Sequence, residues 1–433
     1  LLNFLSALGL IMLLTAFILL PKRTIILPLI LITVSVAIIL FSGSPPTIFW
    51  LGLREMRAII PLIIIISLVS WILTHRPYIK ALLKVGKNQV STPVRFFAVT
   101  AGLSHIISSF MAVGGIPFVY QIFQGEKKPA VSQNAWDFTL STAIMRGFTL
   151  TVLWTAVHPA FAYVIAGTSA PLLTTMLKGM GLAFIGFIIA ILIYLLQKKQ
   201  MKLPADITPN LGSAGSDENT EGLATRFLFW VSLLMGGIIL TTQWLNMDVL
   251  LAVPVVIILV TTVYFLSHRA MRQYKTRWQQ LITEGLETRK REMFLILSAG
   301  ILVGTLKETG FGEVLFNYFL TAAELLNINI LIGLTFVVIL LGLAGFPPIP
   351  AMVLLSGILV NIPGELPAEL IALSLLLGVA VTLVIAPVTV PLLLISGLNG
   401  RSMAQNGFRW NKIFGISQLL AGLLYIQFLY WIG

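Results

Sequence analysis

Runs of about 20 apolar residues recur along this chain, and each can cross a hydrocarbon core of about 30 Å as a helix. The composition fits: 58% of residues are hydrophobic and 10% charged, with a mean hydropathy of +0.97, whereas ordinary chains are about 25% charged. The chain therefore reads as an all-α polytopic membrane protein. Its first stretch, 1–20, lacks a basic start and a small-residue cleavage site and is followed at once by a second, so it reads as a span and not a signal peptide. Cysteine is absent, which removes disulfides, thiolate metal ligands and Cys nucleophiles together. A net charge of +12 would suit nucleic acid, but the bases cluster in short loops beside apolar spans, which is the positive-inside pattern.

The same plan occurs twice. An apolar stretch interrupted at Gly114-Gly115-Ile116-Pro117 returns as one interrupted at Gly345-Phe346-Pro347-Pro348. A helix-like stretch broken at His158-Pro159 returns as one broken at Ala386-Pro387. Copy one offers spans at 1–20, 24–42, 56–74, an interrupted region 94–123, a broken span 137–166, and 171–196. Copy two offers 226–245, 248–266, 293–307, an interrupted region 328–360, a broken span 366–397, and 412–432. Local echoes fix the register, such as Arg54-Glu55-Met56 against Arg291-Glu292-Met293.

Charge tests the topology. Segment 75–95 holds five Lys/Arg and no acid, while its counterpart 308–330 holds three Glu and no base. If 94–123 and 328–360 are re-entrant hairpins, each copy crosses five times, an odd number, and copy two is inverted. With residue 1 and the C-terminus outside, the loops 21–23, 75–95, 124–134, 197–225, 267–292 and 398–412 fall inside and collect Lys and Arg. The outside loops carry Asp248, Glu308, Glu313, Glu324, Glu365 and Glu369, and only 43–57, with Arg54 and Arg57, sits poorly. The expected fold is thus two inverted-topology repeats, each of about five spans plus a re-entrant hairpin with broken helices. Repeat one covers 1–196 (scaffold 1–93, transport part 94–196), a flexible cytoplasmic linker covers 197–225, and repeat two covers 226–433 (scaffold 226–327, transport part 328–433). Segments 77–92 and 309–325 read as helices along the membrane surface. The bases of 267–292 suit anionic headgroups at the inner surface.

Irregular backbone at membrane depth persists only where protein or a water-filled cavity meets it. At each break Gly lets a ligand approach the backbone and Pro frees carbonyls. Freed carbonyls suit Na⁺, and exposed helix N-termini suit an anion. The four breaks therefore mark a substrate site of Gly114, Gly115, Ile116, Pro117, Thr155, His158, Gly345, Phe346, Pro347, Pro348, Pro387 and Thr389. The plain alternative is that Pro and Gly only kink ordinary spans. Arg146 could neutralise an anion, or instead pair with Asp137. His105, Ser108, Ser109 and Ser396 are candidates for ion coupling, although a satisfied buried His and backbone-bonded hydroxyls account for them as well. No His-Glu-x-x-His, Gly-x-Ser-x-Gly, P-loop or acidic two-metal cluster occurs, so no enzyme, metal centre or cofactor is expected beyond Na⁺ as a coupling ion.

This plan resembles the ion transporter superfamily of secondary carriers, which includes gluconate-, dicarboxylate- and arsenite-type permeases. Residues 302–313, Leu-Val-Gly-Thr-Leu-Lys-Glu-Thr-Gly-Phe-Gly-Glu, look like the segment where a span of those carriers ends and a surface helix begins. The Gly-Phe-Pro-Pro-Ile-Pro run at 345–350 looks like one of their hairpin tips. The resemblance implies a homodimer in the plasma membrane, with surface helices joining a scaffold to a transport domain that moves like an elevator. Neither hairpin carries the Ser-Asn-Thr tip triplet of the sodium–dicarboxylate branch. The expected function is symport of a small organic or inorganic anion with Na⁺ or H⁺. The alternative is transport of a phosphate-headed lipid or lipid-linked carrier.

Overall fold

The computed structural model describes residues 2–78, 81, 92–200, 203–204, 207–209, 222–346, 348, 350–352, 355, 366–387 and 389–432. Pro347, most of the 77–92 surface segment, the return arm of the second hairpin and much of the linker lie outside the described residues. Every regular element among the described residues is helical.

The first half runs α1 (Leu2–Leu19), α2 (Lys22–Phe41), α3 (Thr47–Glu55), α4 (Ile59–Ile66), α5 (Val69–His75), α6 (Pro93–Met111), α7 (Gly115–Gln124), α8 (Gln133–Thr151), α9 (Pro159–Thr168) and α10 (Leu172–Gln200). The second runs α11 (Leu223–Trp244), α12 (Val249–Ser267), α13 (Met271–Gln280), α14 (Lys290–Glu308), α15 (Phe311–Leu325), α16 (Ile330–Leu343), α17 (Ala368–Ile385), α18 (Val390–Asn399) and α19 (Trp410–Ile432). By length and apolarity, nine helical segments among the described residues could cross a membrane, or ten if the bent pair α14–α15 is one span.

Position in the bundle follows from which faces are apolar. Helix α17 is apolar on every side and buried from Leu370 to Val384. Helix α8 is equally enclosed although it carries Asp137, Arg146 and several hydroxyls, so its polar groups must find partners inside the protein. Peripheral helices bury only a stripe: Ser6, Gly9, Leu13 and Ala16 on α1, and Phe227, Trp230, Leu234 and Ile238 on α11.

Helices α1, α2 and α3 pack around α14, while α11 and α12 join α4 beside α9. The α3–α14 crossing is built on small residues. A Cβ added at Gly52 would lie 2.6 Å from the Ile301 Cα, and one added at Gly304 would lie 2.6 Å from the Gly52 Cα. This packing extends the span expected at 56–74 back to Thr47. The span is interrupted after Glu55 and again after Ile66. The charged Arg54-Glu55 pair made 43–57 look like loop, whereas Gly52 and Leu53 beside it are buried against α14.

Helices α6 and α7 form a closed hairpin. Near its open end Phe96 meets Phe123 edge-on at 5.4 Å and stacks on Trp136 at 5.4 Å. Near its tip, a Cβ added at Gly115 would come within 3.0 Å of the Ser108 backbone. The chain thus enters and leaves at the end where α8 begins. The turn falls at Ala112–Gly114, slightly before the expected 114–117, and its positive φ belongs to Ala112 (47°). Gly115 is needed for close approach to Ser108, and Ile116 and Pro117 already belong to α7.

Helix α6 runs parallel to α8, and α16 runs parallel to α17, with similar contacts. Ser104 Oγ donates to the Ile144 carbonyl at 2.8 Å, and Thr335 Oγ1 donates to the Ser374 carbonyl at 2.9 Å. Gly147 admits the Ala101 carbonyl where a Cβ would come within 2.2 Å of it, and Gly378 admits the Thr335 carbonyl where a Cβ would come within 2.8 Å. Between the halves the broken helices run antiparallel. Arg401, just past α18, pairs with Asp137 at the start of α8 at 2.9 Å, and Lys178, soon after α9, pairs with Glu369 at the start of α17 at 3.0 Å. Helix α15 leaves α14 at 84°, at Gly310 with φ +72°, as a surface-lying helix would.

Gly52→Leu should destabilise the protein by about 1–3 kcal/mol, because the obstruction is backbone and no rotamer relieves it. Gly125→Ala has open space around its Cβ and should leave stability unchanged. Thermal unfolding of the two purified variants checks this.

Candidate functional site

The candidate site is built around the two broken helices. Helix α8 ends at Thr151 and α9 restarts at Pro159, while α17 ends at Ile385 and α18 restarts at Val390. The two restarts match in form. Both helices have ten residues, an extended N-cap (His158, φ −76°, ψ 124°; Thr389, φ −82°, ψ 147°) and Pro in the first turn. Both end on a left-handed residue, Ser169 with φ 53° and Gly400 with φ 69°.

Side chains from the hairpins and breaks satisfy backbone groups that the interruptions free. Thr155 Oγ1 donates to the Ser109 carbonyl at 2.9 Å, joining the first break to its hairpin. Ser109 Oγ donates to the His105 carbonyl at 2.8 Å, and Thr389 Oγ1 to the Leu383 carbonyl at 3.3 Å. His105 uses both ring nitrogens: Nε2 accepts from Trp154 Nε1 at 3.1 Å, so Nδ1–H donates to the Gly147 carbonyl at 3.1 Å. That arrangement is a neutral clasp between α6 and α8, and both nitrogens are engaged.

His158 is different. The Ala160 N–H donates to its Nδ1 at 3.3 Å, so the proton resides on Nε2. The side chain is 6% exposed, and Nε2 finds no hydrogen-bond partner among the described residues. Ser108 Oγ at the first hairpin and Thr382 Oγ1 near the end of α17 are likewise buried and unpartnered among the described residues. Thr382 packs where Gly342 has no side chain; a Cβ there would sit 2.0 Å from its Cγ2.

The first break thus joins Thr155 to Ser109 of the hairpin, His158 follows with its backbone N–H on the Thr155 carbonyl, and at the tip Gly115 packs on Ser108 between Gly114 and Ile116. Gly345 (φ +96°), Phe346 and Pro348 mark the second tip, and Pro387 and Thr389 mark the second break. Two expected residues stand elsewhere. Ser396 Oγ accepts from Asn406 Nδ2 at 3.0 Å near the far end of α18, remote in sequence from that break. Arg146 is fully buried and donates from Nε to Asn411 Oδ1 (2.9 Å), from Nη1 to the Ala190 carbonyl (3.2 Å), and from Nη2 to Gln197 Oε1 (2.6 Å) and the Trp410 carbonyl (3.3 Å). Phe97 and Phe414 face its guanidinium at 5.5 and 5.3 Å.

Arg146 therefore ties α8 to α10 and α19, and four of its five N–H donors are taken by groups of the fold itself. Its expected alternative partner, Asp137, is taken by Arg401 and by Gln133 Nε2 at 2.7 Å. Asn411, Gln197 and Asn406 went unremarked in the sequence, where lone amides within apolar spans were the available signal. Among the described residues no group of three His, Cys, Asp or Glu could hold a metal ion.

In fold the chain is similar to the Alcanivorax borkumensis YdaH transporter, known from a crystal structure with an unusual topology. The TM-score is 0.56 at 12% identity, over 89% of this chain and 88% of that one. Neither a protein-family model nor a curated protein matches the chain. The likeness covers nearly the full length of both chains and establishes a polytopic helical membrane fold.

The two ion pairs at the ends of the broken helices should differ in strength. The Asp137 carboxylate is 1% exposed, whereas Lys178 and Glu369 are 28% and 18% exposed. Asp137→Ala should cost about 3 kcal/mol, and Glu369→Ala no more than about 1 kcal/mol. Parallel denaturation curves in detergent measure both.

Proposed function

We propose that this protein is a secondary active transporter of a small organic or inorganic anion, and not an enzyme. One observation carries the reading: a pair of antiparallel interrupted helices, each with a parallel helix packed on it (α6 on α8, α16 on α17), with a buried imidazole N–H that has no partner among the described residues at one break. Helices α9 and α18 begin at the breaks, so their positive dipole ends face the interruptions and favour an anion. The hairpin helices α6 and α16 end near the breaks and present carbonyls, which favour a cation such as Na⁺. The fold likeness to a transporter supports this class of function.

On this reading the halves are inverted-topology repeats in the plasma membrane, with the linker cytoplasmic. The hairpins, broken helices, α10 and α19 form an elevator-like transport unit. The rest forms a scaffold suited to a homodimer, as in the ion transporter superfamily that the sequence resembles. Coupling is to Na⁺ or H⁺. His158 donates Nε2–H to the substrate, with Ser108, Thr155 and Thr389 nearby on the tips and breaks, while Arg146 acts as a structural knot.

Purified protein in liposomes should accumulate one member of a panel of anions only under an imposed Na⁺ or H⁺ gradient. Inactivity across the panel in well-folded vesicles would count against a transporter. His158→Asn keeps an N-cap acceptor but removes the ring N–H. It should raise the apparent KM about tenfold or more without lowering the Tm, because a hydrogen bond to a charged ligand is lost. Arg146→Ala should instead lower the Tm. A rise in KM at unchanged stability would return Arg146 to the site.

A further inference from the structure

A second region gathers two guanidiniums. A shallow hollow of about 540 Å³ lies between the interrupted span α4–α5 and the segment that follows α12. Ser67, Trp71 and Thr74 line one wall, and Arg277, Gln280 and Arg289 line the other, with Glu284 also at the lining. The walls are shaped by two distortions, the break after Ile66 and a π-helical turn at Leu281–Gly285.

Two guanidiniums are fixed at this hollow. Arg277 Nη1 donates to the Trp71 carbonyl at 2.9 Å and to Thr74 Oγ1 at 2.9 Å. Arg289 Nη1 donates to the Ile63 carbonyl. These bonds satisfy carbonyls near the interruption and hold both side chains in place, and a guanidinium fork matches the oxygens of a phosphate. The surrounding 267–292 segment carries seven Lys/Arg against three Glu.

The chemistry around the hollow is interfacial. Trp71 meets Tyr274 and Trp278 edge-on, each at 5.7 Å, and Trp and Tyr favour the headgroup level of a bilayer. Met271 and Ile282, 39% and 61% exposed, put apolar surface beside the basic groups. A soluble anion gains nothing from that surface, whereas a lipid does.

We infer that this hollow binds the phosphate headgroup of an anionic phospholipid, held as a resident ligand of the fold. The site is separate from the broken helices, and it stands whether or not the transported substrate is an anion.

The test offers full-length protein, in mixed micelles, equal amounts of phosphatidylglycerol and phosphatidylcholine, and measures bound lipid by native mass spectrometry. The wild type should retain phosphatidylglycerol preferentially. In R277Q/R289Q its retention should fall about twenty-five-fold, roughly fivefold for each guanidinium near the surface. Gln280 is exposed, so Q280E places a carboxylate in the hollow without disturbing the core and should also weaken retention at unchanged Tm. Q280E decides the matter alone if the double variant does not fold. Equal retention by wild type and Q280E overturns the site. Displacement of the lipid by inorganic phosphate or glycerol 3-phosphate overturns the lipid assignment in favour of a soluble phosphate.

Discussion

A helix interrupted inside a bilayer exposes N–H and C=O groups that hydrocarbon cannot satisfy, and the central part of this protein is arranged around that demand. Each broken helix has another helix running parallel to it at glycine-close distance (α6 on α8, α16 on α17), and hydroxyls bridge the two. Ser104 and Thr335 donate to carbonyls of α8 and α17, and Thr155 reaches the Ser109 carbonyl at the first tip. Gly147 and Gly378 are what permit these approaches, since a Cβ at either would meet a neighbouring carbonyl. Each broken helix and the helix packed on it are therefore one mechanical unit, because separating them would strand the Ser104 and Thr335 hydroxyls and, at the first tip, the Ser109 carbonyl.

The fold was largely legible because its signals are local. Apolar run length sets the spans, and Gly and Pro punctuate them, so the breaks lie within a few residues of where the sequence marks them. Pairing was less legible, because it depends on partners distant in the chain. Arg146 meets Asn411, and Asp137 meets Arg401. Nothing near Arg146 in sequence announces Asn411, whereas Asp137 was the nearest acid and the obvious guess. The turn at Ala112 was missed for a related reason. Positive φ is usually Gly's, but here a glycine three residues on serves packing and an alanine takes the strained turn.

Arg146 also shows how a cation can be kept at depth without a carboxylate. Four hydrogen bonds donated to side-chain amide oxygens and carbonyls, with two aromatic faces, replace its hydration. These partners are dipoles and cancel no charge. The interior where α8, α10 and α19 meet therefore keeps a net positive charge, which falls off only as the inverse of distance in a medium of low dielectric. Such a field favours anions over cations without direct contact.

The two restarted helices agree in backbone and differ in side chains. They share length, N-cap conformation, early proline and left-handed C-cap. Their caps do not match: His158 stands opposite Thr389, and Ser169 opposite Gly400. Matched backbones give two helix N-termini aimed at the interruptions, a feature that any sequence adopting this geometry supplies. The unmatched caps break that symmetry, and His158 alone of the two caps puts a ring N–H at its break. If the proposed anion transport holds, helix dipoles would set the sign of the ligand and the unequal caps its orientation, an anion with one strong acceptor placing that acceptor toward His158.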